Sequence, residues 1–144
     1  MKRGFTLIEL LIVIAVISIL IGIALPRFKG MQDEGNIAKA KGELRTLQTA
    51  VESYYIHNTA TYPSALSQLT SATPNIIASL PSDPFSSTSG NYGFVRGGTN
   101  NKFYVAYSVG PGGNGSATIA SDAVSETNGS SAIYVSNAGT DTQP

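Results

Sequence analysis

The stretch GFTLIELLIVIAVISILIGIALP, residues 4–26, decides the fold of this 144-residue chain. Over the 21 positions from residue 5 to residue 25, Glu9 is the sole charged side chain. As a helix this segment would measure about 31 Å, which is the thickness of the hydrocarbon core of a membrane. A cleaved secretory signal is the alternative, but its apolar part is usually shorter and ends in small residues, whereas Pro26-Arg27-Phe28 follows here. The pattern therefore predicts a retained membrane-spanning helix.

Composition excludes several classes of function. The nine basic and nine acidic side chains cancel, and Arg96 and Lys102 are too few to form a basic patch in the second half of the chain, so no nucleic-acid partner is predicted. The absence of cysteine excludes disulfides, thiol catalysis and thiolate metal sites. The single histidine, His57, is not accompanied by a Gly-x-Ser-x-Gly elbow, a phosphate loop or paired carboxylates. The sequence therefore does not indicate an enzyme.

The segment KRGFTLIELLIV, residues 2–13, resembles the leader and N-terminus shared by type IV pilins and type II secretion pseudopilins. The shared features are a very short basic leader, the Gly4-Phe5 junction, Glu9 and the long apolar run that follows. The resemblance implies that residues 1–4 are a leader, which a prepilin peptidase removes between Gly4 and Phe5 on the cytoplasmic side before methylating the new amine of Phe5. Basic residues flank both ends of the apolar segment, so charge alone does not set its orientation. The implied cleavage places the C-terminal region outside.

Glu9 is the residue that a simple membrane anchor would not contain. A charge at the centre of a membrane helix costs about 2.5–3.5 kcal/mol on insertion scales, and less near an end, so such residues are usually paired. The methylated amine of Phe5 would be the nearby cation in the cleaved chain. Glu9 could pair with its own amine or with that of a neighbouring subunit, and the resemblance implies the second, as an assembly contact. The alternative is that Glu9 only reaches the interface from its near-terminal position.

Gly22 and Pro26 predict a weak point at the end of the apolar segment, residues 5–26. Proline has no N–H to offer the carbonyl of Gly22, and its ring crowds that carbonyl. The resemblance implies that the helix melts here in assembled filaments, and a static kink is the equally open alternative.

A different pattern begins after Pro26. Apolar residues recur at spacings of three and four over the predicted amphipathic half of the helix, residues 27–58, which should end near Asn58. This stripe predicts packing against a sheet. Its members are Ile37, Ala40, Leu44, Leu47, Val51 and Tyr54.

Residues 59–144 are predicted to form an α+β head of the pilin-like kind, with the long N-terminal helix packed on a small antiparallel sheet. A helical turn is expected over Ser64 to Leu69, and the tyrosines are expected in the core with hydrated hydroxyls. LPSDPF, residues 80–85, contains turn residues and resembles the segment that precedes the sheet in major pseudopilins. The predicted strands are NYGFVR (91–96), KFYVAYSV (102–109) and SAIYVSN (131–137).

A Gly/Ser-rich loop is predicted over residues 108–131. In major pseudopilins the corresponding loop binds calcium through an acidic residue that follows a Ser-x-Gly motif. Ser108 and Gly110 are present, but the acidic position is Gly112, and the remaining carboxylates nearby are Asp122 and Glu126. Calcium commonly requires six to eight oxygen ligands. The favoured interpretation is a solvated loop without a cofactor, and a calcium site at Ser108, Asp122 and Glu126 is the alternative.

We interpret the chain as a structural subunit of a type IV filament, a helical homopolymer in which the N-terminal helices form the core. Its expected partners are other copies of itself, the prepilin peptidase and an inner-membrane assembly platform, and the unassembled subunit is expected in the inner membrane. An extracellular pilus is the main interpretation, and the major pseudopilin of a type II secretion system, in a periplasmic pseudopilus, is the alternative. Retained Glu9 argues against the tip pseudopilin, which lacks it in the resembled family. A monomeric membrane-anchored binding module would instead tolerate Glu9→Ala.

Overall fold

The computed structural model describes residues 4–87, 90–127 and 131–138. The chain divides into two compact units, residues 1–35 and residues 36–144, and helix α1, Leu7–His57, begins in the first and ends in the second. In the first unit the large apolar side chains are exposed all around the helix, from Leu7 to Met31. Among the described residues, α1 is the one helix long and apolar enough to cross a membrane, and its most apolar window has a mean hydropathy of 3.0. A helix that is apolar on every face needs an apolar environment.

The C-terminal part of α1 carries the predicted stripe. Ala40, Leu44 and Val51 are fully buried and Leu47 nearly so, while Ile37 and Tyr54 pack partly buried against them. The helix ends at His57, next to the predicted end. The amphipathic pattern therefore predicted the buried face of this half of the helix.

The three predicted strands form one antiparallel sheet. Its strands are β1 (Gly93–Gly97), β2 (Phe103–Ser108) and β5 (Ile133–Ser136), in the order β1-β2-β5. Val95 lies opposite Val105, and Ala106 lies opposite Val135. A short helix, α2, forms over Gln68–Ser71, later in the chain than the predicted turn of Ser64 to Leu69. Leu66 and Leu69 are buried as expected.

The prediction of a Gly/Ser-rich loop over residues 108–131 is wrong for half of its length, because residues 116–127 form a hairpin. Strands β3 (Ser116–Ala120) and β4 (Ala123–Thr127) pair antiparallel as a second sheet. They are joined by Ser121 and Asp122, whose φ angles are 51° and 64°. Hairpins with two-residue loops favour such left-handed pairs, usually written Asn-Gly or Asp-Gly. Ser-Asp is not one of these typical turn sequences. The surrounding Ser, Thr and Gly residues also obscured the strand-like alternation of the apolar residues Ala117, Ile119 and Val124.

The hairpin covers the face of the main sheet that α1 does not. Alternate residues of the sheet join a helix-side cluster with α1, in which Tyr104 and Ala106 of β2 are fully buried. The intervening residues join a hairpin-side cluster, in which Val105 and Tyr134 pack with Ala117 of β3. The second unit therefore has three layers, and the main sheet is the middle one.

Candidate functional site

The start of α1 holds Glu9 in a reciprocal cap with Thr6. The backbone N–H of Thr6 donates to Glu9 Oε2 at 2.9 Å, and the Thr6 hydroxyl donates to the same oxygen at 2.8 Å. In return the backbone N–H of Glu9 donates to the Thr6 hydroxyl oxygen at 3.3 Å. This is a capping box, and the Thr-x-x-Glu pattern before an apolar run is its sequence signature. The sequence reasoning considered only the charge of Glu9 and missed the cap.

The cap supplies a physical reason for a carboxylate at this end of the helix that does not require another subunit. A negative charge in the first turn is favoured by the helix dipole and by unsatisfied N–H groups. Gly4 and Phe5 precede the helix in an exposed, non-helical stretch, and Phe5 is 88% exposed. In the uncleaved chain the nitrogen of Phe5 is part of a peptide bond, so the predicted pairing of its free amine with Glu9 stays a prediction about the processed subunit.

Ser18, Gly22 and Pro26 are the other residues of the apolar segment that the sequence makes conspicuous. Ser18 donates its hydroxyl to the carbonyl oxygen of Ile14 at 2.7 Å, so it is satisfied within the helix. Helix α1 includes both Gly22 and Pro26. A Cβ added at Gly22 would meet no atom within 4 Å, so no close approach requires glycine there. Melting at Gly22 and Pro26 concerns the assembled filament and stays a prediction.

The candidate calcium residues are not brought together. The hydroxyl of Ser108 donates to Asp83 at 2.7 Å. Thr99 donates two hydrogen bonds to the carboxylate of Asp122, one from its backbone N–H and one from its hydroxyl at 2.8 Å. The backbone hydrogen bond from Thr99, followed by that from its hydroxyl, lowers the pKa of Asp122. Glu126 lies on β4 opposite Ala117. Within residues 4–87, 90–127 and 131–138, no three acidic or histidine side chains are grouped to hold a metal ion.

Asp83 is a functional residue of the fold that the sequence reasoning described only as a turn initiator. Its side chain is 4% exposed. Besides Ser108, its carboxylate accepts the backbone N–H of Val109 at 2.8 Å and that of Phe85 at 3.0 Å. The pseudopilin-like LPSDPF segment is thereby tied to the end of β2. Gly110 completes the junction, because its φ is +68° and an added Cβ would lie 1.6 Å from the carbonyl oxygen of Ser131.

The buried tyrosines were expected to have hydrated hydroxyls, and three of them instead donate to carboxylates of α1. Tyr104 and Tyr62 donate to Glu52 at 2.8 and 3.1 Å, and Tyr92 donates to Glu43 at 2.6 Å. Burial, followed by the charge of Glu52, raises the pKa of Tyr62 to about 12. The helix and the head are therefore joined by hydrogen bonds as well as by apolar contacts.

Because of these tyrosine–carboxylate hydrogen bonds, we expect the folded protein to lose stability at alkaline pH. The neutral phenol of Tyr62 is the form that the fold favours, since its pKa is raised to about 12 from an unfolded value of about 10. Its contribution is complete below pH 10 and is lost as the pH rises toward 12. We expect the free energy of unfolding in urea to fall by about 1 kcal/mol more between pH 9 and 11 for the wild type than for Tyr62→Phe. An equal fall in both proteins would contradict this assignment.

Comparison with known families follows the same division of the chain. Residues 1–25 match the family described as the prokaryotic N-terminal methylation motif. Residues 27–126, more than half of the chain, match the family described as type II secretion system (T2SS) protein G. The chain belongs to the type II secretion system protein G family. This protein G family is one of structural subunits, and the N-terminal part of the chain is also similar to type IV pilins.

Two groups of relatives resemble this protein G family member over different lengths. Type II secretion system core protein G of Pseudomonas aeruginosa is 29% identical over 126 residues, which is 78% of this chain and 85% of the relative. Type IV major pilin protein PilA of Myxococcus xanthus is 49% identical over 54 residues, which is 38% of this chain and 24% of the relative. Fimbrial protein EcpB of Eikenella corrodens is 48% identical over 56 residues, 39% of this chain and 35% of the relative. No solved structure matches the chain significantly.

Proposed function

We propose that the chain is a structural subunit that polymerises through its N-terminal helix into an extracellular type IV pilus. One observation carries the proposal. The apolar part of α1 is exposed on every side, and its start presents a capped Glu9 immediately after an exposed Gly4-Phe5 junction. A helix of this kind needs a membrane before assembly and an apolar filament core afterwards. Two pilin relatives are 49% and 48% identical to the chain over 54 and 56 residues, and this similarity supports the role.

Processing and assembly follow from the same segment. The prepilin peptidase removes residues 1–4 and methylates the amine of Phe5, and the subunit stays in the inner membrane until the assembly platform extracts it. In the filament, the amine of Phe5 and the carboxylate of Glu9 from neighbouring subunits pair at the helix ends. Paired opposite charges offset the cost of holding either one at membrane depth. The chain is a building unit and has no catalytic role of its own.

A periplasmic pseudopilus of a type II secretion system is the second candidate. The specific observation in its favour is that the match to protein G, residues 27–126, covers the amphipathic half of the helix and most of the head. In that role the same helix and the same Glu9 contact would build a filament that stays in the envelope. The two candidates therefore share the assembly mechanism and differ in location, because the pilus extends outside the cell and the pseudopilus stays in the periplasm.

Mass spectrometry of material sheared from the surface of native cells tests the proposal. We expect a subunit that begins at methylated Phe5 and is abundant in the sheared filaments. A processed subunit that stays entirely with the membrane fraction would favour the periplasmic pseudopilus. An unprocessed chain starting at Met1, without filaments, would contradict both candidates.

A further inference from the structure

A polar pocket of about 430 Å³ lies within the second unit. One wall comes from the end of α1 and the turn after it, with Tyr55 and Thr61. The other comes from β1 and the short 3₁₀ turn that joins it to β2, with Arg96, Asn100 and Lys102. All of these residues belong to the second unit, so the pocket does not depend on the membrane segment.

The pocket gathers the positive charge of the head. Arg96 and Lys102 are the two basic residues in the sequence from residue 53 onward, and both line it. No carboxylate is among the lining residues. The one ion pair in the described part of the chain joins Lys39 to Glu43, so neither of these two cations makes an ion pair there. From the sequence alone, these two residues are too few to predict a basic patch. The fold brings them together at one cavity, which suits an anion.

Arg96 is fixed in place with donors to spare. Its Nη1 donates to the carbonyl oxygen of Tyr62 at 2.6 Å, and the residue is half-buried. A guanidinium has five N–H donors in a planar fork, and this fork matches a planar carboxylate better than a point charge does. This hydrogen bond to the protein orients the guanidinium. A cation that is already oriented loses less conformational freedom when a ligand binds.

The opposite wall is also held before any ligand arrives. The side chain of Asn137 donates to the carbonyl oxygen of Lys102 at 2.9 Å, and Asp122 accepts two hydrogen bonds from Thr99. Asn100 and Asn101 have φ angles of 59° and 57°. Asparagine tolerates this conformation, and its amide offers both a donor and an acceptor. The turn thus presents exposed amides from a braced backbone.

An aromatic surface completes the pocket. The rings of Tyr55 and Tyr62 are stacked with centroids 4.4 Å apart and an interplanar angle of 28°. Both rings line the pocket, and Tyr62 is buried while Tyr55 is partly exposed. A ring held by stacking on a neighbour offers an apolar surface at low entropic cost. Tyr55 is therefore suited to contact the C–H face of a sugar ring.

We propose that this pocket binds an acidic sugar, a pyranose that carries a carboxylate. The carboxylate lies against Arg96 and Lys102, the ring hydroxyls bond to the Asn100 and Asn101 amides and to Thr61, and the ring face rests on Tyr55. An inorganic anion would contact the cations and leave the ring of Tyr55 without a role, whereas a neutral sugar would leave the charges of the two cations without a partner. The volume lies within the usual range for small-ligand pockets and accommodates one or two sugar units. This ligand role is separate from filament assembly.

Titration of the isotopically labelled full chain tests the assignment. The chain is held in micelles of a polyoxyethylene detergent, which contains neither sugar nor charge, and the amide signals of Asn100 and Asn101 and the side-chain N–H signal of Arg96 are followed by NMR. We expect galacturonic acid to shift these signals, and galactose and inorganic phosphate to bind at least about fivefold more weakly. Equal affinity for galactose or for phosphate would overturn the proposal, as would the absence of any shift. A galacturonate trimer that binds more tightly than the monomer identifies a polysaccharide as the source, and equal affinity identifies a free sugar acid.

Matched variants localise the binding. Lys102→Ala is expected to raise the Kd for galacturonic acid about fivefold, while Lys41→Ala, which removes one exposed lysine far along α1, leaves it unchanged. Asn101→Gly keeps the left-handed backbone and removes the amide, so it also weakens binding. Arg96→Lys keeps the charge but loses the fork, and weakens galacturonic acid more than phosphate. Equal effects of Lys102→Ala and Lys41→Ala would overturn the assignment.

Discussion

Replacing Glu9 with glutamine is expected to abolish filaments while leaving the precursor inserted and processed. Glutamine at this position of a capping box can still accept from the N–H of Thr6, so the helix start is preserved. What is lost is the charge that we propose pairs with the amine of Phe5 on the neighbouring subunit. A charge-assisted hydrogen bond contributes about 1.5–3 kcal/mol, which corresponds to a loss of about tenfold to a hundredfold in affinity at each docking step. Immunoblots of sheared filaments against whole cells measure the yield, and mass spectrometry measures the processing.

Thr6→Ser is the control for this prediction, because serine keeps the N-cap hydroxyl and leaves Glu9 charged. We expect filaments at the wild-type level. If Glu9→Gln also assembles at that level, the charge has no role in docking, and Glu9 acts only as a helix cap that reaches the membrane interface.

Replacing Asp83 with asparagine is expected to lower the free energy of unfolding by about 3 kcal/mol, although the two side chains have the same shape. The carboxylate accepts from the backbone N–H of Val109 and from the hydroxyl of Ser108. An asparagine amide must direct its NH₂ group toward one of these donors, and both Asp83 and Ser108 are buried. Urea unfolding of the full chain in detergent, followed by tyrosine fluorescence, measures the loss.

Asp122→Asn is the matched control. Asp122 also accepts one backbone N–H and one hydroxyl, both from Thr99, but it lies in an exposed turn. Water can replace the partner that asparagine loses there, so the expected cost is below about 1 kcal/mol. Equal losses for the two variants would show that burial of Asp83 does not contribute.

The long helix and the three main strands could be predicted because their signals are local. The apolar run of residues 5–25 and the stripe from Ile37 to Tyr54 repeat at helical spacing, and FYVAYS is a dense run of strand-forming residues. The run FYVAYS also indicates that both faces of the sheet are covered, which the prediction did not use. A strand with one face in water should alternate with polar residues, whereas Tyr104, Val105 and Ala106 are all apolar and buried. A second layer over the sheet could have been inferred from this run.

The features that escaped prediction depend on residues far apart in sequence. Asp83 and Ser108 are 25 positions apart, and Tyr104 and Glu52 are 52 apart. No periodicity marks such pairs. The pocket of Arg96 and Lys102 needed the turn of Asn100 and Asn101, whose left-handed backbone places both cations around one cavity. The capping box was different, because Thr6 and Glu9 stand at the standard spacing and required only that the pattern be sought.

Strand β2 belongs to both apolar clusters, and this has a consequence for how the head comes apart. Its even-numbered residues Tyr104 and Ala106 pack toward α1, and Val105 packs toward the β3–β4 hairpin. Neither outer layer can separate without exposing one side of this strand, so heating melts the layers together in a single transition. The backbone amides at the centre of β2 exchange with deuterium only through that global event, and they report the full stability of the head.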